Sequence, residues 1–448
     1  MDPTPVVPKT KKRLLIWSDS PTVKTGFGIV AANLFRDLHK DFDVAILGVN
    51  YYGIHHYDTT KYFIYPVDIQ DIMGFERIKQ VLTDWKPQII LLFQDIFNME
   101  HIMDAIKKWN KDVPVIGYFP IDGTPVNRVW GKTFLALNKR ITYTNWAIKV
   151  IKDSVPEVAN KQFEYLYHGV DTDIFVPLPP QLGYQARKER KTSDNSTWAD
   201  KFFALSNNRF QPRKHIPGLL RVWAQFAKGY KVCKCGNSYV ATRKYCDLNG
   251  CPASDVIEEH PGHNDVLLYV HGNTQERMMG PGMANTLQGH MLNAGFENDD
   301  INKCIQAFAG NVYEKPISDE ELNLLYNMAD VNVSTTLGEG VGLSLVESAA
   351  VGTTSIAPNN SAIPEMLGST GHIIPNKCHV NIAFDNAHLR PLVDTKLFVE
   401  ALEIEYQKWI ANDKRKIVNE AAIEMVLTKF LWDDKRAQML GWLKEFDN

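Results

Sequence analysis

Short apolar runs alternate with amphipathic stretches along the first part of the chain. The apolar runs are typical of buried strands, and they lie at 13–17, 43–49, 88–93, 114–119 and 140–144. Between them, stretches such as 75–84 and 100–111 have the periodicity of amphipathic helices. Alternating strands and helices predict a parallel sheet that is covered by helices on both faces. We therefore expect one doubly wound α/β domain over residues 1–175.

The alternation breaks between residues 176 and 200. The run Val176–Pro180 is rich in proline, which interrupts helices and central strands, and a polar, charged stretch follows it. We interpret residues 176–200 as a linker. A second α/β domain is predicted over residues 201–428, because a second series of apolar runs occupies 201–207, 265–272, 329–336 and 353–358.

Composition and charge narrow the class of protein. The chain has 448 residues, and its 49 Lys+Arg and 52 Asp+Glu give a net charge of −3. This balance excludes a nucleic-acid binder that acts by charge alone, although it is compatible with a local basic groove. No apolar run reaches the roughly 18 residues of a membrane span, and the N-terminal sequence lacks the apolar region of a signal peptide. We therefore expect a cytoplasmic protein without a transmembrane segment; the sequence leaves its oligomeric state open.

Four of the six cysteines lie close together in the sequence, at Cys233, Cys235, Cys246 and Cys251. Two close pairs with a short stretch between them are typical of a zinc site with four thiolate ligands, which leaves no open position for catalysis. The alternative is a group of reduced surface thiols. We favour structural zinc, because the remaining cysteines, Cys304 and Cys378, are isolated. Since residues 229–263 interrupt the α/β pattern, we interpret them as an inserted zinc ribbon that either contacts a partner or only ties together a long loop.

A glycine-containing turn joins a predicted strand to a predicted helix within residues 335–350. At the start of that helix, the backbone N–H groups of residues 342–344 and the helix dipole form a ready anion site. Glu339 precedes the helix and Glu347 lies in its second turn, so both can face one ligand and accept hydrogen bonds from sugar or ribose hydroxyls. A glycine-rich turn alone would favour a simpler interpretation, in which the helix is capped and the glutamate is solvated.

The segment 339–367 resembles the nucleotide-sugar signature of glycosyltransferase family 4, in which seven residues separate two glutamates. Further segments that are similar to motifs of this family lie at 25–28, 167–177, 208–214 and 325–330. The resemblance covers most of the chain apart from its C-terminal tail, the linker and the ribbon. It implies the GT-B fold, which has two facing Rossmann-like domains and a C-terminal helix, here 429–448, that crosses back to the first domain.

The resemblance also implies an activity and a set of site residues. The expected reaction is the transfer of a hexose or pentose, with retention of configuration and without a metal ion, from a nucleotide-diphosphate sugar to a hydroxyl acceptor. Arg209 and Lys214 are expected to hold the diphosphate, Glu347 the ribose and Glu339 the transferred sugar. The donor-binding loop is expected to consist of Gly340, Val341, Gly342, Leu343 and Ser344. The acceptor-side loop is expected to consist of Gly26, Phe27 and Gly28.

The chain departs from the family pattern after the predicted strand at 114–119. Members of the family commonly have a histidine there, whereas this chain has Asp122 followed by Gly123. Asp122 either touches the reacting sugar or the acceptor, or simply forms a turn with Gly123, and the sequence favours neither.

Two other functions compete with glycosyl transfer. One is a nucleotide-sugar epimerase of the same fold, and the other is a protein that binds nucleotide sugars without turnover. The spacing of Glu339 and Glu347, together with Lys214, favours transfer over both. The acceptor stays open: besides a glycan or a small molecule, acceptors in the family include lipids and proteins. DNA with hydroxylated bases is compatible with the ribbon and with the basic residues of 187–191, although such a basic run is more often a solvated linker.

Overall fold

The computed structural model of the chain describes residues 11–446 except 55, 111, 247–250, 273–282, 308–316 and 384. Its strands β1 to β9 are Arg13–Asp19, Asp43–Val49, Phe63–Pro66, Ile89–Phe93, Val115–Phe119, Lys139–Thr142, Glu164–Tyr165, Phe202–Asn207 and Tyr230–Cys233. Strands β10 to β18 are Ser238–Val240, Val256–His260, Val266–His271, Ile305–Ala307, Val331–Val333, Thr354–Pro358, His372–Ile374, Asn376–Asn381 and Leu389–Val393.

The helices of the described residues fall between these strands and after the last one. Helices α1 to α8 are Gly26–Leu34, Arg77–Asp84, Ile96–Trp109, Gly131–Ala136, Asn145–Ser154, Pro180–Glu189, Ile216–Lys228 and Met283–Ala294. Helices α9 to α15 are Asn298–Cys304, Asp319–Met328, Leu343–Ala350, Ile363–Leu367, Thr395–Ala411, Glu420–Lys429 and Trp432–Lys444.

The chain forms two compact units. Unit 1 comprises Met1–Ile121, Pro125–Gly169 and Trp432–Asn448, and unit 2 comprises Asp122–Thr124 and Val170–Leu431. Each unit is therefore discontinuous in sequence: α15 belongs to unit 1, and the three residues that begin with Asp122 belong to unit 2.

Unit 1 is built on a seven-stranded parallel sheet in the order β3-β2-β1-β4-β5-β6-β7. All five residues of β4 and of β5 are buried, as expected for strands that are covered on both faces. Helix α15 packs on α1, and the Arg436 guanidinium lies 3.4 Å from the Asp37 carboxylate.

Unit 2 is built on a six-stranded parallel sheet in the order β13-β12-β8-β14-β15-β16. Its core is rich in large aromatic side chains, among them Phe202, Trp223 and Trp409. With two parallel sheets and helices between their strands, the predicted α/β class is confirmed.

The segment interpreted as a linker contains helix α6, and that helix packs into unit 2. The Arg187 side chain is buried, pairs with Asp330 at 2.8 Å and donates from Nε to the Met328 carbonyl oxygen at 2.6 Å. The polar pattern of 176–200 did not reveal this helix, because its buried contact is made by a charged side chain rather than by an apolar face.

Two small antiparallel sheets extend unit 2. Strands β9, β10 and β11 form a three-stranded sheet in the order β10-β9-β11, which lies within the predicted ribbon at 229–263. Strands β17 and β18 form a hairpin that the sequence pattern did not predict. This hairpin carries Arg390, which is almost completely buried.

Candidate functional site

The loops that follow β8 and β14 lie side by side at the carboxyl end of the unit 2 sheet, where open α/β sheets bind ligands. The Leu337 N–H donates to the Arg213 carbonyl oxygen at 2.7 Å, and the Thr335 hydroxyl donates to the His215 carbonyl oxygen at 2.9 Å. These bonds join the loop that carries Lys214 to the loop that carries Glu339.

Lys214 and Glu339 form an ion pair in which both side chains are about one-tenth exposed. The Glu339 backbone N–H donates to the Ser361 hydroxyl at 2.8 Å, which fixes the residue at its backbone. Burial lowers the pKa of Lys214, and the Glu339 carboxylate opposes that shift. The pair therefore keeps a cation and an anion together where each alone would be costly to bury.

Helix α11 begins directly after this pair. Gly342 precedes its first residue with φ +82°, a left-handed conformation that side chains rarely adopt. The first backbone hydrogen bonds of the helix are donated by Leu345 and Val346 to the Gly342 carbonyl oxygen. The amides of Leu343 and Ser344 precede them, so they can donate to an anion at the helix start.

Glu347 lies on the second turn of α11 and accepts a hydrogen bond from the Tyr326 hydroxyl at 2.8 Å. Tyr326 is fully buried, and its oxygen accepts a bond from the Asn207 amide, also at 2.8 Å. Burial raises the pKa of Glu347 to about 7, and the bond from Tyr326 opposes the increase. Glu347 is thus held in place by neutral partners, in contrast to Glu339.

Arg213 connects the pair to Asp122. Its guanidinium lies 3.6 Å from the Asp122 carboxylate and 3.8 Å from the Glu339 carboxylate. On the other side, Asp122 is held by Arg390, which contacts its carboxylate at 3.1 Å and donates to its backbone carbonyl oxygen at 2.5 Å. Although burial favours the neutral acid, the charges of Arg213 and Arg390 lower the pKa of Asp122.

The Asp122 backbone approaches the glutamate loop closely. A Cβ atom on Gly338 would lie 2.0 Å from the Asp122 carbonyl oxygen and 2.3 Å from an Arg390 nitrogen, so the contact requires glycine. Asp385 completes the cluster, accepting from Arg390 Nε at 2.6 Å and from its Nη2 at 2.8 Å.

The structure thus gathers most of the predicted donor residues in unit 2 at one place. Lys214 and Glu339 share one network of charges with Asp122, whose place in unit 2 differs from the prediction that residues 1–175 form one domain. Helix α11 begins at Leu343, four residues after Glu339, and carries Glu347. Arg209 is exposed two residues beyond the end of β8.

Four residues of this site, Arg213, Arg390, Asp385 and Tyr326, were given no role from the sequence. Arg213 adjoins Lys214 in the basic stretch and Tyr326 lies in a segment already noted, so local signals existed for both. Arg390 and Asp385 lie in a hairpin with no motif, and only the folded chain brings them to Asp122.

The predicted acceptor-side loop lies at the carboxyl end of β1 in unit 1. The Thr25 hydroxyl donates to the Asp19 carboxylate at 2.5 Å and accepts from the Gly28 N–H at 3.0 Å, which caps α1. Phe27 packs on Phe93, with ring centroids 4.8 Å apart. Gly26 is exposed at the first position of the helix.

Aromatic side chains surround the same end of the unit 1 sheet. Tyr118, Tyr143 and His168 are buried together, and the His168 ring lies 4.3 Å from that of Tyr143. Burial lowers the pKa of His168 to about 3, so this histidine is neutral near pH 7.

The four clustered cysteines converge in the small sheet of β9, β10 and β11. Their sulfur atoms all lie within 4.8 Å of one another, and those of Cys235 and Cys246 are 3.7 Å apart. Four thiolates at about 2.3 Å around a tetrahedral zinc ion would lie about 3.8 Å from one another, so the donor set and its spacing fit zinc. Residues 247–250, between the last two cysteines, lie outside the described part of the chain.

A comparison with models of protein families finds a match within unit 2. Residues 263–388 match the sequence model of a family described as Glycosyl transferases group 1. That stretch includes Glu339, Glu347 and the start of α11, whereas Lys214 precedes it. A comparison with curated protein sequences finds no match.

Solved structures resemble the chain over nearly its whole length. A glycosyltransferase from Rickettsia africae ESF-5 is 15% identical with TM-score 0.65, covering 98% of this chain and 99% of that chain. Sucrose-phosphate synthase from Thermosynechococcus elongatus is 14% identical with TM-score 0.65, covering 97% and 99%. Anabaena HepE in complex with UDP-glucose is 11% identical with TM-score 0.61, covering 97% and 99%. At these identities the likeness establishes the fold, which is of the GT-B type with two Rossmann-like domains.

Among the described residues, no helix combines the length and apolar character that crossing a membrane requires.

Proposed function

We propose that the protein is a retaining glycosyltransferase that uses a nucleotide-diphosphate sugar. The observation that carries this proposal is the arrangement of Lys214, Glu339 and Glu347 around the start of α11, at the carboxyl end of the unit 2 sheet. A cation, a helix N-terminus, one carboxylate before the helix and one in its second turn match the phosphates and hydroxyls of such a donor.

Each group has a defined role in this proposal. Lys214 and Arg209 bind the diphosphate, together with the amides of Leu343 and Ser344 and the loop that begins at Gly340 and Val341. Glu347 accepts hydrogen bonds from the ribose hydroxyls, and Glu339 accepts them from the transferred sugar.

The chemical step exchanges one bond at the anomeric carbon for another. The bond from that carbon to the diphosphate oxygen breaks, and a bond to the acceptor oxygen forms. The acceptor's proton passes to the departing diphosphate. Negative charge grows on the departing oxygen, where Lys214 and the α11 amides stabilise it, and this is the usual source of electrostatic catalysis.

We propose that Asp122 contacts the reacting sugar or the acceptor. Its support is the carboxylate's place in the network, between Arg213 and Arg390. The acceptor is proposed to bind unit 1 at Gly26, Phe27 and Gly28, and it is a glycan, a small molecule or hydroxylated-base DNA.

The decisive experiment measures nucleoside diphosphate released from a panel of nucleotide sugars, each with glycan, small-molecule and hydroxylated-DNA acceptors. Acceptor-dependent release supports transfer, and the anomeric configuration of the product tests retention. Interconversion of the donor sugar without release would instead identify an epimerase. Donor binding without either reaction would identify a binding protein.

The proposed reaction needs no metal ion. Release at an unchanged rate after omission of Mg²⁺ and Mn²⁺ is the expected result, and a strict requirement for either ion would contradict it.

We also propose one structural zinc ion per chain, held by Cys233, Cys235, Cys246 and Cys251. Elemental analysis of the purified protein should find one equivalent of zinc. The Cys246→Ser variant should lose it, while the Cys378→Ser variant, which changes an exposed cysteine outside the cluster, should keep it. Wild-type protein without stoichiometric zinc would contradict the assignment.

A cytoplasmic location is part of the same proposal. It is supported by the six cysteines, which form no disulfide bonds, since thiols and thiolate ligands persist in a reducing compartment.

A further inference from the structure

Unit 2 contains a cavity that lies outside the group of proposed donor-binding residues. It has a volume of about 300 Å³ and is lined by the start of α6 and by the turn between α13 and α14. That volume is at the lower end of the range for small-molecule sites. None of Lys214, Glu339 and Glu347 lines it.

Three consecutive cationic residues, Lys414, Arg415 and Lys416, line one side of this cavity. Lys414 is paired with Asp265 at 2.7 Å. Within the described chain, no carboxylate oxygen lies within ion-pair distance of Arg415 or Lys416. The Lys416 ammonium instead donates to neutral oxygens, the Tyr326 carbonyl at 3.1 Å and the Thr353 hydroxyl at 2.5 Å.

The surroundings of Lys416 leave its charge undercompensated. Burial lowers its pKa to about 7, Asp330 opposes that shift, and Arg187 adds to it. Since Asp330 already pairs with Arg187 at 2.8 Å, an anion in the cavity would supply the charge that Lys416 lacks.

The turn that presents these cations is held by its own hydrogen bonds. The Lys414 N–H donates to the Trp409 carbonyl oxygen at 2.9 Å, and the Asn412 side-chain amide donates to the Arg415 carbonyl oxygen at 3.1 Å. The backbone is therefore arranged before any ligand arrives, which reduces the entropy lost on binding.

The lining of the cavity also includes apolar and aromatic residues. Leu178, Pro179 and Val418 line it together with Tyr184, whose ring centroid lies 5.9 Å from the Arg415 guanidinium. A ligand that suits this lining carries an anionic group, which the cations bind, and an aromatic ring or apolar body, which packs on the apolar residues.

We propose that this cavity binds a small phosphate monoester through Arg415 and Lys416, with the body of the ligand against Tyr184 and the apolar residues of the lining. A phosphate suits the pair because it accepts several hydrogen bonds and a guanidinium can contact it through two nitrogens. This site is additional to the proposed donor site and does not depend on glycosyl transfer.

The test is calorimetric titration of the full chain with phenyl phosphate, with phenol and inorganic phosphate as separate arms. One-to-one binding of phenyl phosphate, weaker binding of inorganic phosphate and none of phenol are expected. The Arg415→Gln variant should bind phenyl phosphate about tenfold more weakly, as for one lost charge-assisted contact. Arg415 is exposed, so this variant should fold. The Lys303→Gln variant removes an exposed charge elsewhere in unit 2 and should bind like the wild type.

Saturating UDP separates this cavity from the donor site. Phenyl phosphate should bind the wild type equally well with and without UDP. Three results would overturn the proposal: no saturable binding, equal binding by the Arg415→Gln variant, or displacement by UDP. None of them bears on glycosyl transfer, which the release assay measures.

Discussion

The two parallel sheets of the chain are alike in construction but differ in the chemistry at their carboxyl ends. In unit 1, the loop after β1 carries a capped helix start, and the carboxyl ends of β5, β6 and β7 carry an aromatic cluster of Tyr118, Tyr143 and a neutral His168. In unit 2, the loops after β8 and β14 carry Lys214, Arg213 and Glu339, and Asp122, which follows β5 in sequence, completes a chain of charges with them.

This difference shows that sheet architecture and ligand chemistry are specified by different residues. The apolar strand interiors determine the sheets, and both units have them. The polar residues just beyond the strand ends decide whether an anion is held, and in the described residues a network joining several charges is found at the end of the unit 2 sheet. Changes to that network should therefore cost more than comparable changes in unit 1.

The largest expected effect is that of Arg390→Met on stability. The change leaves Asp122 and Asp385 without the buried guanidinium that contacts both, and breaking a buried ion pair costs about 3–5 kcal/mol. Chemical denaturation monitored by fluorescence measures it. In the matched Arg128→Met variant of unit 1, the lost pair with Glu157 is exposed, so little change is expected. Equal losses in the two variants would remove the distinction between the units.

Next in size is the effect of Lys214→Ala on donor use. Loss of one charge-assisted contact costs about 1.5–3 kcal/mol, so kcat/KM for the nucleotide sugar should fall roughly 10- to 150-fold. The Thr25→Val variant removes a cap in unit 1 and should leave donor affinity unchanged. A folded Lys214→Ala variant with near-normal turnover would refute the donor-site assignment.

Glu347 should make donor binding depend on pH. Its pKa in the folded chain is about 7 against an ordinary 4.5, so its carboxylate, the form that accepts ribose hydroxyls, is lost as pH falls below 7. The nucleotide sugar that the release assay identifies as donor should bind about tenfold more weakly at pH 6 than at pH 8. The Glu347→Gln variant should bind weakly at both values.

The raised pKa of Glu347 also determines how the free energy of unfolding changes with pH. Between pH 4.5 and 7 the unfolded chain releases a proton that folded Glu347 keeps, so this group lowers stability as pH rises through that window. Comparing wild type and Glu347→Gln by denaturation at several pH values tests this. A constant difference between them would show that the pKa is not raised.

His168 of unit 1 should change the pH dependence of stability in the direction opposite to that of Glu347, and by a smaller amount. Its folded pKa of about 3 lies below the ordinary 6.5, so its contribution to stability is lost as pH falls below 6.5. At pH 5.5 the loss should be roughly 1–1.5 kcal/mol relative to pH 7.5. The His168→Phe variant should lack this component, whereas the His39→Phe variant, which changes a partly exposed histidine of unit 1, should retain it. Identical pH dependence in wild type and His168→Phe would contradict the assignment.

Sequence alone predicted the parts of the fold that depend on local pattern. The runs at 43–49 and 88–93 became β2 and β4, because a strand buried on both faces must be apolar throughout. The hairpin of β17 and β18 escaped prediction, since its exposed, polar residues have no strict alternation. The roles assigned to the site residues remain predictions.

Within the site, sequence could identify residues that share a short motif but not those joined across the chain. Glu339 and Glu347 lie eight positions apart, before and within the first two turns of α11, so the short motif that contains them could be recognised from the sequence alone. The contact between Asp122 and Arg390 spans 268 positions, and it exists only once β18 has formed.

The discontinuity of unit 1 has a consequence for how the protein is made. A ribosome synthesises all the strands of unit 1, and then the whole of unit 2, before it synthesises α15. Domains usually fold in the order of their synthesis, but here the surface of α1 that α15 covers stays open until α15 has been made. The first unit to be synthesised is therefore the last to be completed, and a nascent chain stopped before Trp432 would be a natural client for chaperones.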